Sequence, residues 1–458
     1  MAEPSDHPQA CPRCAVLERR IAELEARVRE LERLLSEAVR GTKRQAAPFS
    51  KGLPKENPQK PGRKPGLDYG TQAFRTLPTG PPDEIIDVPL RRRCPRCGGT
   101  TRDSHIARQY QIEIPRRPIL RRFDLHVGEC TCCGQRVQPR HELQTSDALG
   151  AAAAQIGPDA QALIAGLKNK LGLSYGDMTT LMKDAWGIEL TRGAAAHIVR
   201  RAGLRAEPMY TAFKALISKR DTVYSDETGW KVGGRLHWLW DFVADLFTVY
   251  VIRPSRGVDV LAEVLGMDYA GRMTHDGWAP YDRFTQARHQ QCITHLLRRA
   301  KEIIEQLEGK RPRFARLVRG LLLDALRLRD RRHDKSIGDP GYAIARGRLE
   351  KRLDRLLAVR PRGKACRTFR NHLEKHRDQL LTFLYEENLE ASNWPAEQAI
   401  RPAVVNRKVF GGNRTWTGAH ALEVLASLFA TCRQNAIDAL ALLSDLLRAP
   451  LPTHARAP

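Results

Sequence analysis

A chain of 458 residues is long enough for two to four domains with substantial cores. Its 76 lysines and arginines against 52 acids give a net charge of +24, and a pI near 10.0 favours a polyanionic partner, most simply nucleic acid. No stretch approaches the roughly 20 apolar residues of a bilayer span, and the N-terminus lacks a signal-peptide core, so a cytoplasmic protein without membrane contact is expected. Ten cysteines, six of them in Cys-x-x-Cys pairs, point to metal binding rather than disulfides in that compartment.

Leu17–Ala38 carries a heptad repeat. Cys14, Ile21, Val28 and Leu35 share one core position; Leu17, Leu24, Leu31 and Ala38 share the other. β-Branched residues at the first and leucine at the second favour a two-stranded parallel coil, with Arg20/Glu25 and Arg27/Glu32 pairing between chains. A homodimer or higher multimer is therefore expected, the alternative being an amphipathic helix that packs on its own protein. Cys11-Pro-Arg-Cys14 is half a zinc site at most, completed by a partner chain or left as free thiols. From Gly41 to about Gly70 the chain is rich in Pro, Gly, Lys and Arg and reads as a disordered linker. Within it, Pro61-Gly-Arg-Lys-Pro-Gly66 is either a minor-groove hook or plain solvated linker.

Cys94-Pro-Arg-Cys97 and Cys130-Thr-Cys-Cys133 are expected to supply the four thiolates of a tetrahedral structural Zn²⁺ site, with Cys132 a bystander and redox pairs the alternative. Between them Tyr110, Ile112 and Ile114 alternate with polar residues, as do Phe123, Leu125 and Val127 beyond a turn at Pro115–Pro118. That pattern predicts a metal-held β-hairpin whose Arg116, Arg117, Arg121 and Arg122 suit phosphates. Helices are then expected over Asp159–Leu171, Ser174–Trp186 and Thr191–Gly203, with N-caps at Ser174 and Thr191 and a break at Gly187. This is the helix-turn-helix pattern, with Arg192, His197, Arg200 and Arg201 on the recognition helix; a packed helical hairpin has the same signature.

Thr222–Trp230 reads as a strand ending on Asp226 and turning at Gly229 into a second strand, Arg235–Val243. Leu246–Arg253 and Arg272–His275 follow, the last ending on Asp276. Carboxylates at adjacent strand ends can hold two divalent metals about 4 Å apart, the geometry of in-line phosphodiester chemistry. Glu397 falls in the first turn of a helix starting near Pro395. Glu227, Asp241, Asp245, Asp282 and Glu390 compete as acids; Glu227 should point away from Asp226, Asp241 and Asp245 read as solvated strand caps, and Asp282 is the runner-up to Asp276. Helical stretches over His295–Leu307, Pro312–Arg332, Tyr342–Val359 and Ala365–Tyr385 read as an inserted all-α domain. Cys292-Ile-Thr-His295 stands at its entrance; two ligands do not close a zinc site, so packing or hydrogen bonding is the expected role. Ala419–Leu447 reads as a long amphipathic helical region that closes the core.

The ordered set Asp226-Glu-Thr, Pro254-Ser-Arg-Gly257, Asp276-Gly-Trp, Gln291-Cys-Ile-Thr-His-Leu-Leu-Arg298 and Asn393-Trp-Pro-Ala-Glu397-Gln-Ala-Ile-Arg401-Pro402, then Arg407-Lys408, resembles the Insertion Sequence 66 family of transposases. Together with the N-terminal modules it covers nearly the whole chain. Gln398 stands where that family commonly has arginine, and Trp278 where tyrosine is frequent. The resemblance implies a DDE transposase with an RNase-H-like core and Asp226, Asp276 and Glu397 as its catalytic triad. These carboxylates would bind Mg²⁺ or Mn²⁺ for cleavage at the element's ends and strand transfer, with Arg401, Arg407 and Lys408 on phosphates. Double-stranded DNA is the implied partner, and helper proteins encoded in the same element are expected beside it.

The expected fold is multidomain α+β: a coiled coil over 1–40, basic linker 41–80, zinc ribbon-like module 81–145 and helix-turn-helix domain 146–215. The RNase-H-like α/β core follows over 216–290, is interrupted by the all-α insertion 291–390, and ends with its last helix and C-terminal helices over 391–458. Two other classes compete: a DNA-binding regulator derived from a transposase without catalysis, and a stand-alone metal-dependent nuclease.

Overall fold

The computed structural model describes residues 20–28, 30–31, 80–102, 106–112, 118–144, 148–149, 155–306 and 312–448. The chain divides into two units, Met1–Glu113 and Ile114–Pro458. In the first, residues 20–28 and 30–31 are helical, and Ile21, Leu24, Val28 and Leu31 form an exposed apolar stripe at the expected heptad positions. Cys11, Cys14, Leu17, Leu35, Ala38 and the linker through residue 79 lie outside the described residues. Further on, Cys94 opens a tight turn: its N–H donates to the Gly99 carbonyl (2.8 Å) and the Gly98 N–H returns to the Cys94 carbonyl (2.9 Å).

The second unit repeats this turn at Cys130, with Cys130 N–H to Gln135 O and Gly134 N–H to Cys130 O, both 2.8 Å. A short antiparallel ladder pairs Gly128–Glu129 with Arg136–Val137. The expected longer hairpin is not formed among the described residues, which show no strand over 106–112 or 118–127. Ile112, Ile119 and Leu120 are highly exposed there, so alternation alone supplies no apolar layer to pack on.

Three helices follow: α1 (Pro158–Asn169), α2 (Tyr175–Trp186) and α3 (Arg192–Ile217). Ser174 caps α2 by accepting from the Asp177 N–H, and Thr191 caps α3 by accepting from the Ala194 N–H. Gly187 closes α2 in the left-handed conformation, φ 65°. α3 does not stop at Gly203. That residue lets α3 press against another helix, since a Cβ there would lie 3.0 Å from the Ala421 backbone.

The five-stranded sheet comprises β1 (Thr222–Val232), β2 (Arg235–Val243), β3 (Thr248–Arg253), β4 (Arg272–His275) and β5 (Arg288–Gln291). Its order is β3-β2-β1-β4-β5, antiparallel on the β1–β2–β3 side and parallel across β1–β4–β5. β1 does not end at Asp226; it continues six residues to Val232 before Gly233 and Gly234, both at positive φ, make the hairpin turn. α4 (Val258–Leu265) links β3 to β4.

After β5 come α5 (Ile293–Gln306), α6 (Arg313–His333), α7 (Asp339–Ala358) and α8 (Lys364–Lys375). These bury an apolar cluster of their own, including Leu296, Leu321, Leu353 and Phe369. The chain leaves beside its point of entry, because the Ile293 N–H donates to the Ala391 carbonyl at 2.9 Å. It continues into α9 (Trp394–Phe410), α10 (Trp416–Gln434) and α11 (Ala439–Arg448), so the expected single stretch 419–447 is two helices. Among the described residues no helix is long and apolar enough to cross a membrane.

α10 seals the edge of the sheet. The outward N–H groups of Thr248, Tyr250 and Ile252 on β3 donate to Thr431 Oγ1 (3.1 Å), Ser427 Oγ (2.8 Å) and Glu423 Oε1. The acceptors recur every fourth residue and so stack on one helix face, matching the period-two N–H groups of the strand. Ser427→Ala would strand the buried Tyr250 N–H and is expected to lower stability by about 1–3 kcal/mol in chemical denaturation, against near-neutrality for Thr417→Ala.

Candidate active site

Register brings the first two acids together. Tyr224 on β1 pairs with Thr274 on the parallel β4, so Asp226 and Asp276 lie two residues beyond matched partners at the same level of the sheet. Asp226 shares a face with Tyr224 and Tyr250, the face covered by Ala396, Ala399 and Ile400 of α9. Asp276 leaves β4 as expected and accepts from the Trp278 N–H at 2.9 Å. Gly277 makes the turn at φ 89°, where a Cβ would meet Gln291 Oε1 at 2.4 Å.

Behind Asp276 the polar groups are ordered in a chain. The Phe284 carbonyl requires His289 Nε2 to donate (2.9 Å), leaving His289 Nδ1 to accept from His275 Nε2 (3.0 Å). His275 Nδ1 then accepts from the Gly277 N–H at 3.1 Å, fixing the turn that carries Asp276. Burial holds His275 well below its usual pKa, consistent with this neutral role.

Glu397 arrives from the first turn of α9. The helix is tied to the sheet by Asn393, whose side-chain amide donates to the Ser225 carbonyl (2.8 Å) and whose N–H donates to Cys292 Sγ (3.2 Å). Glu397 Oε1 faces His295 Nδ1 at 3.6 Å, and neither buried atom has a hydrogen-bond partner. Asp226 feels both other acids: burial first, then the charges of Asp276 and Glu397, raises it to about 6.

Two companions were not legible as such. Asp241 lies directly opposite Asp226 on β2, fully buried, and its Oδ1 accepts from the Asp226 N–H at 2.9 Å. It is therefore not a solvated cap, and burial drives its pKa well above the usual carboxylate range. The signal available was an acid inside the apolar run Trp238–Val243. Glu227 does point away from Asp226, but into a buried clamp: both Nε and Nη2 of Arg256 reach it, at 2.7 and 2.6 Å. The Arg256 guanidinium sits over the rings of Trp238 (4.8 Å) and Trp278 (4.3 Å). Burial still lifts Glu227 to about 7.

The remaining acids stand apart. Asp282 pairs with Lys375 (2.6 Å), Asp245 with Arg220, and Glu390 reaches Arg329 at 4.0 Å. Of the expected phosphate-binding residues, Arg192, Arg200 and Arg201 are exposed on α3, as is His197, and Arg401 and Lys408 are exposed on α9. Arg407 is turned inward instead, donating to Thr228 Oγ1 (2.8 Å) and the Gly229 carbonyl as a latch between α9 and β1. In each Cys-x-x-Cys turn the first thiol is lowered: backbone N–H groups of Arg96 and Cys97 lower Cys94, and those of Cys133 and Cys132 lower Cys130.

The buried acids set a pH dependence. Asp226 and Glu227 have raised folded-state pKa values, so the folded chain holds protons that the unfolded chain releases near pH 4. Stability of the metal-free protein is therefore expected to fall as pH rises from about 4 to about 7, by a few kcal/mol, and to level off above that. Melting temperatures across this range in a chelator check it, and added Mg²⁺ should flatten the curve.

A family model described as "Transposase IS66 family" matches residues 153–421. A curated protein of Sinorhizobium fredii (strain NBRC 101917 / NGR234), "Uncharacterized protein y4qI", is 26% identical over 305 residues, or 57% of this chain and 53% of that one. The chain thus spans about half the length of that relative. The matched region starts before α1 and ends within α10, taking in all three acids, and on that match the chain belongs to the IS66 family of transposases.

Proposed function

We propose that the protein is a DDE-type transposase that binds the ends of its own insertion sequence and catalyses divalent-metal-dependent cleavage and strand transfer. Asp226, Asp276 and Glu397 are its catalytic acids. The observation that carries this reading is their placement: one acid on β1, one just past the end of the adjacent parallel β4 at the same level, and a third on the helix covering the same face.

The donor set fits a hard cation. All three groups are carboxylates, the charges of Asp276 and Glu397 both oppose ionisation of Asp226, and Glu397 Oε1 is buried with no partner. Magnesium or manganese bound there would supply activation of a hydroxyl nucleophile and stabilisation of the leaving oxygen. The chain's part is to hold the acids: Asp241 fixes the backbone at Asp226, the histidine chain fixes the turn at Asp276, and Asn393 fixes the start of the Glu397 helix.

The other modules would find and hold DNA. Arg192, Arg200 and Arg201 on α3, with Arg401 and Lys408 on α9, are available to phosphates, while Arg407 supports the fold. Cys94 with Cys97, and Cys130 with Cys133, each offer a thiol pair to zinc, and the exposed stripe Ile21–Leu31 would join copies of the chain for synapsis. Element-encoded helper proteins would complete the complex.

The test is whether purified protein with Mg²⁺ or Mn²⁺ nicks a duplex carrying the element's end, beside an Asp226→Asn, Glu397→Gln double variant. Metal-dependent 3′-end cleavage by the wild type alone, with end binding kept by both, is expected. Tight end binding with no cleavage by either, helper proteins included, would instead establish a DNA-binding regulator.

A further inference from the structure

The residues at the entrance of the insertion make more than a structural pair. Cys292 follows β5 directly and is buried; His295 lies one turn on, in α5. Glu397, separated by a hundred residues of chain, brings a carboxylate to the same point. One ligand atom from each of Cys292, His295 and Glu397 lies within 4.8 Å of the other two. The missing third ligand that left Cys-x-x-His incomplete in the sequence is supplied by the fold.

We propose that Cys292, His295 and Glu397 form a zinc site that withdraws Glu397 from the catalytic acids, making transposition sensitive to zinc. The inhibitory consequence rests on the catalytic reading of Glu397; the binding does not.

Three observations support the coordination. First, His295 Nδ1 and Glu397 Oε1 confront each other at 3.6 Å, both buried and both without hydrogen-bond partners. Ligand atoms around a tetrahedral zinc lie roughly 3.3–3.8 Å apart, given bonds of about 2.0–2.3 Å, so little adjustment is needed. Second, both His295 and Glu397 occupy first turns, of α5 and α9, so two helix N-termini face the point where a thiolate and a carboxylate would gather. Third, Cys292 Sγ already accepts the Asn393 N–H at 3.2 Å, which fixes the sulfur at the start of α9, one turn before Glu397. Three protein ligands leave a fourth position for water, as in open zinc sites.

The chemistry of the two sites then differs. Asp226, Asp276 and Glu397 offer only hard oxygens and suit magnesium. Adding a thiolate and an imidazole in place of Asp226 and Asp276 moves the preference to zinc, which also outbinds magnesium at such ligands. Glu397 is the shared member, and one carboxylate oxygen committed to zinc is lost to the other site.

The experiment counts zinc on the full-length chain by competition with a chromophoric chelator, and repeats the titration with Co²⁺ to read thiolate charge transfer. Wild type is expected to bind one equivalent more than His295→Ala, while Cys94→Ser loses a different, thiolate-rich one. Cys292→Ser, the milder change, should weaken the extra equivalent by at least about 10-fold, as losing a ligand costs no less than losing its support. Equal zinc in wild type and His295→Ala, both melting cooperatively, overturns the site. Zinc should also slow Mg²⁺-supported cleavage by wild type; an extra equivalent bound without inhibition overturns the switch. If no variant cleaves DNA under any metal, the catalytic reading fails while the zinc count still decides the site.

Discussion

Asp226→Asn is expected to reduce Mg²⁺-supported cleavage of an end duplex by about 10³-fold while leaving end binding unchanged. Metal-borne stabilisation of a phosphodiester transition state is worth several kcal/mol, and about 4 kcal/mol is three decades in rate. The amide fits the same space and can still accept the Glu227 N–H, which the carboxylate takes at 2.9 Å, so the strand should be undisturbed. Asp282→Asn is the matched control, because that acid is occupied by Lys375 outside the site. Single-turnover cleavage by the two variants separates them. A loss shared equally by both would remove Asp226 from the chemistry.

The second large effect concerns stability. Arg256→Ala leaves the Glu227 side chain, 2% exposed, without its guanidinium. Removing one member of a buried pair costs about 3–5 kcal/mol when the other must stay charged. Glu227 already titrates near 7 because of its burial, and without Arg256 it rises further. The destabilisation should therefore be largest at about pH 8 and shrink toward pH 5, where the folded state takes up the proton. Arg256→Ala, Glu227→Gln should recover most of the loss at pH 8. Denaturant midpoints at the two pH values measure both statements; a loss independent of pH and of Glu227 would mean Arg256 acts through the two tryptophans alone.

Asp226, Asp276 and Glu397 stand out in the sequence because their types, order and surroundings are specific, and the strand Arg272–His275 was read to the residue. The end of β1 was misread for a physical reason. Thr228-Gly229 looks like a turn, yet Gly229 lies mid-strand because Leu236 Cδ1 and the Arg407 guanidinium crowd its face. β5 was invisible: Arg288-His-Gln-Gln291 has no apolar alternation. Its polarity is consumed internally, with Gln290 bonding the Leu380 carbonyl and the Phe383 N–H of the insertion. Arg407 read as a phosphate ligand because sequence reports charge and not direction. Asp241 read as a cap because acids near strand turns are mostly solvated, although the apolar run Trp238–Val243 around it already signalled burial.

The hydrogen bond from Ile293 to Ala391 bears on how such a chain reaches its folded state. Asp226 and Glu397 must meet across a long span of sequence, and contacts of that separation form slowly because the intervening loop must first close. The four insertion helices make mostly local contacts and bury a cluster of their own, so they can assemble early. Once they have, residues 293 and 391 are already neighbours, and the loop left to close is shortened by nearly a hundred residues. On this view the insertion acts as an internal tether that brings α9 to the sheet, and deleting it should slow refolding of the core even where a short linker spans the gap.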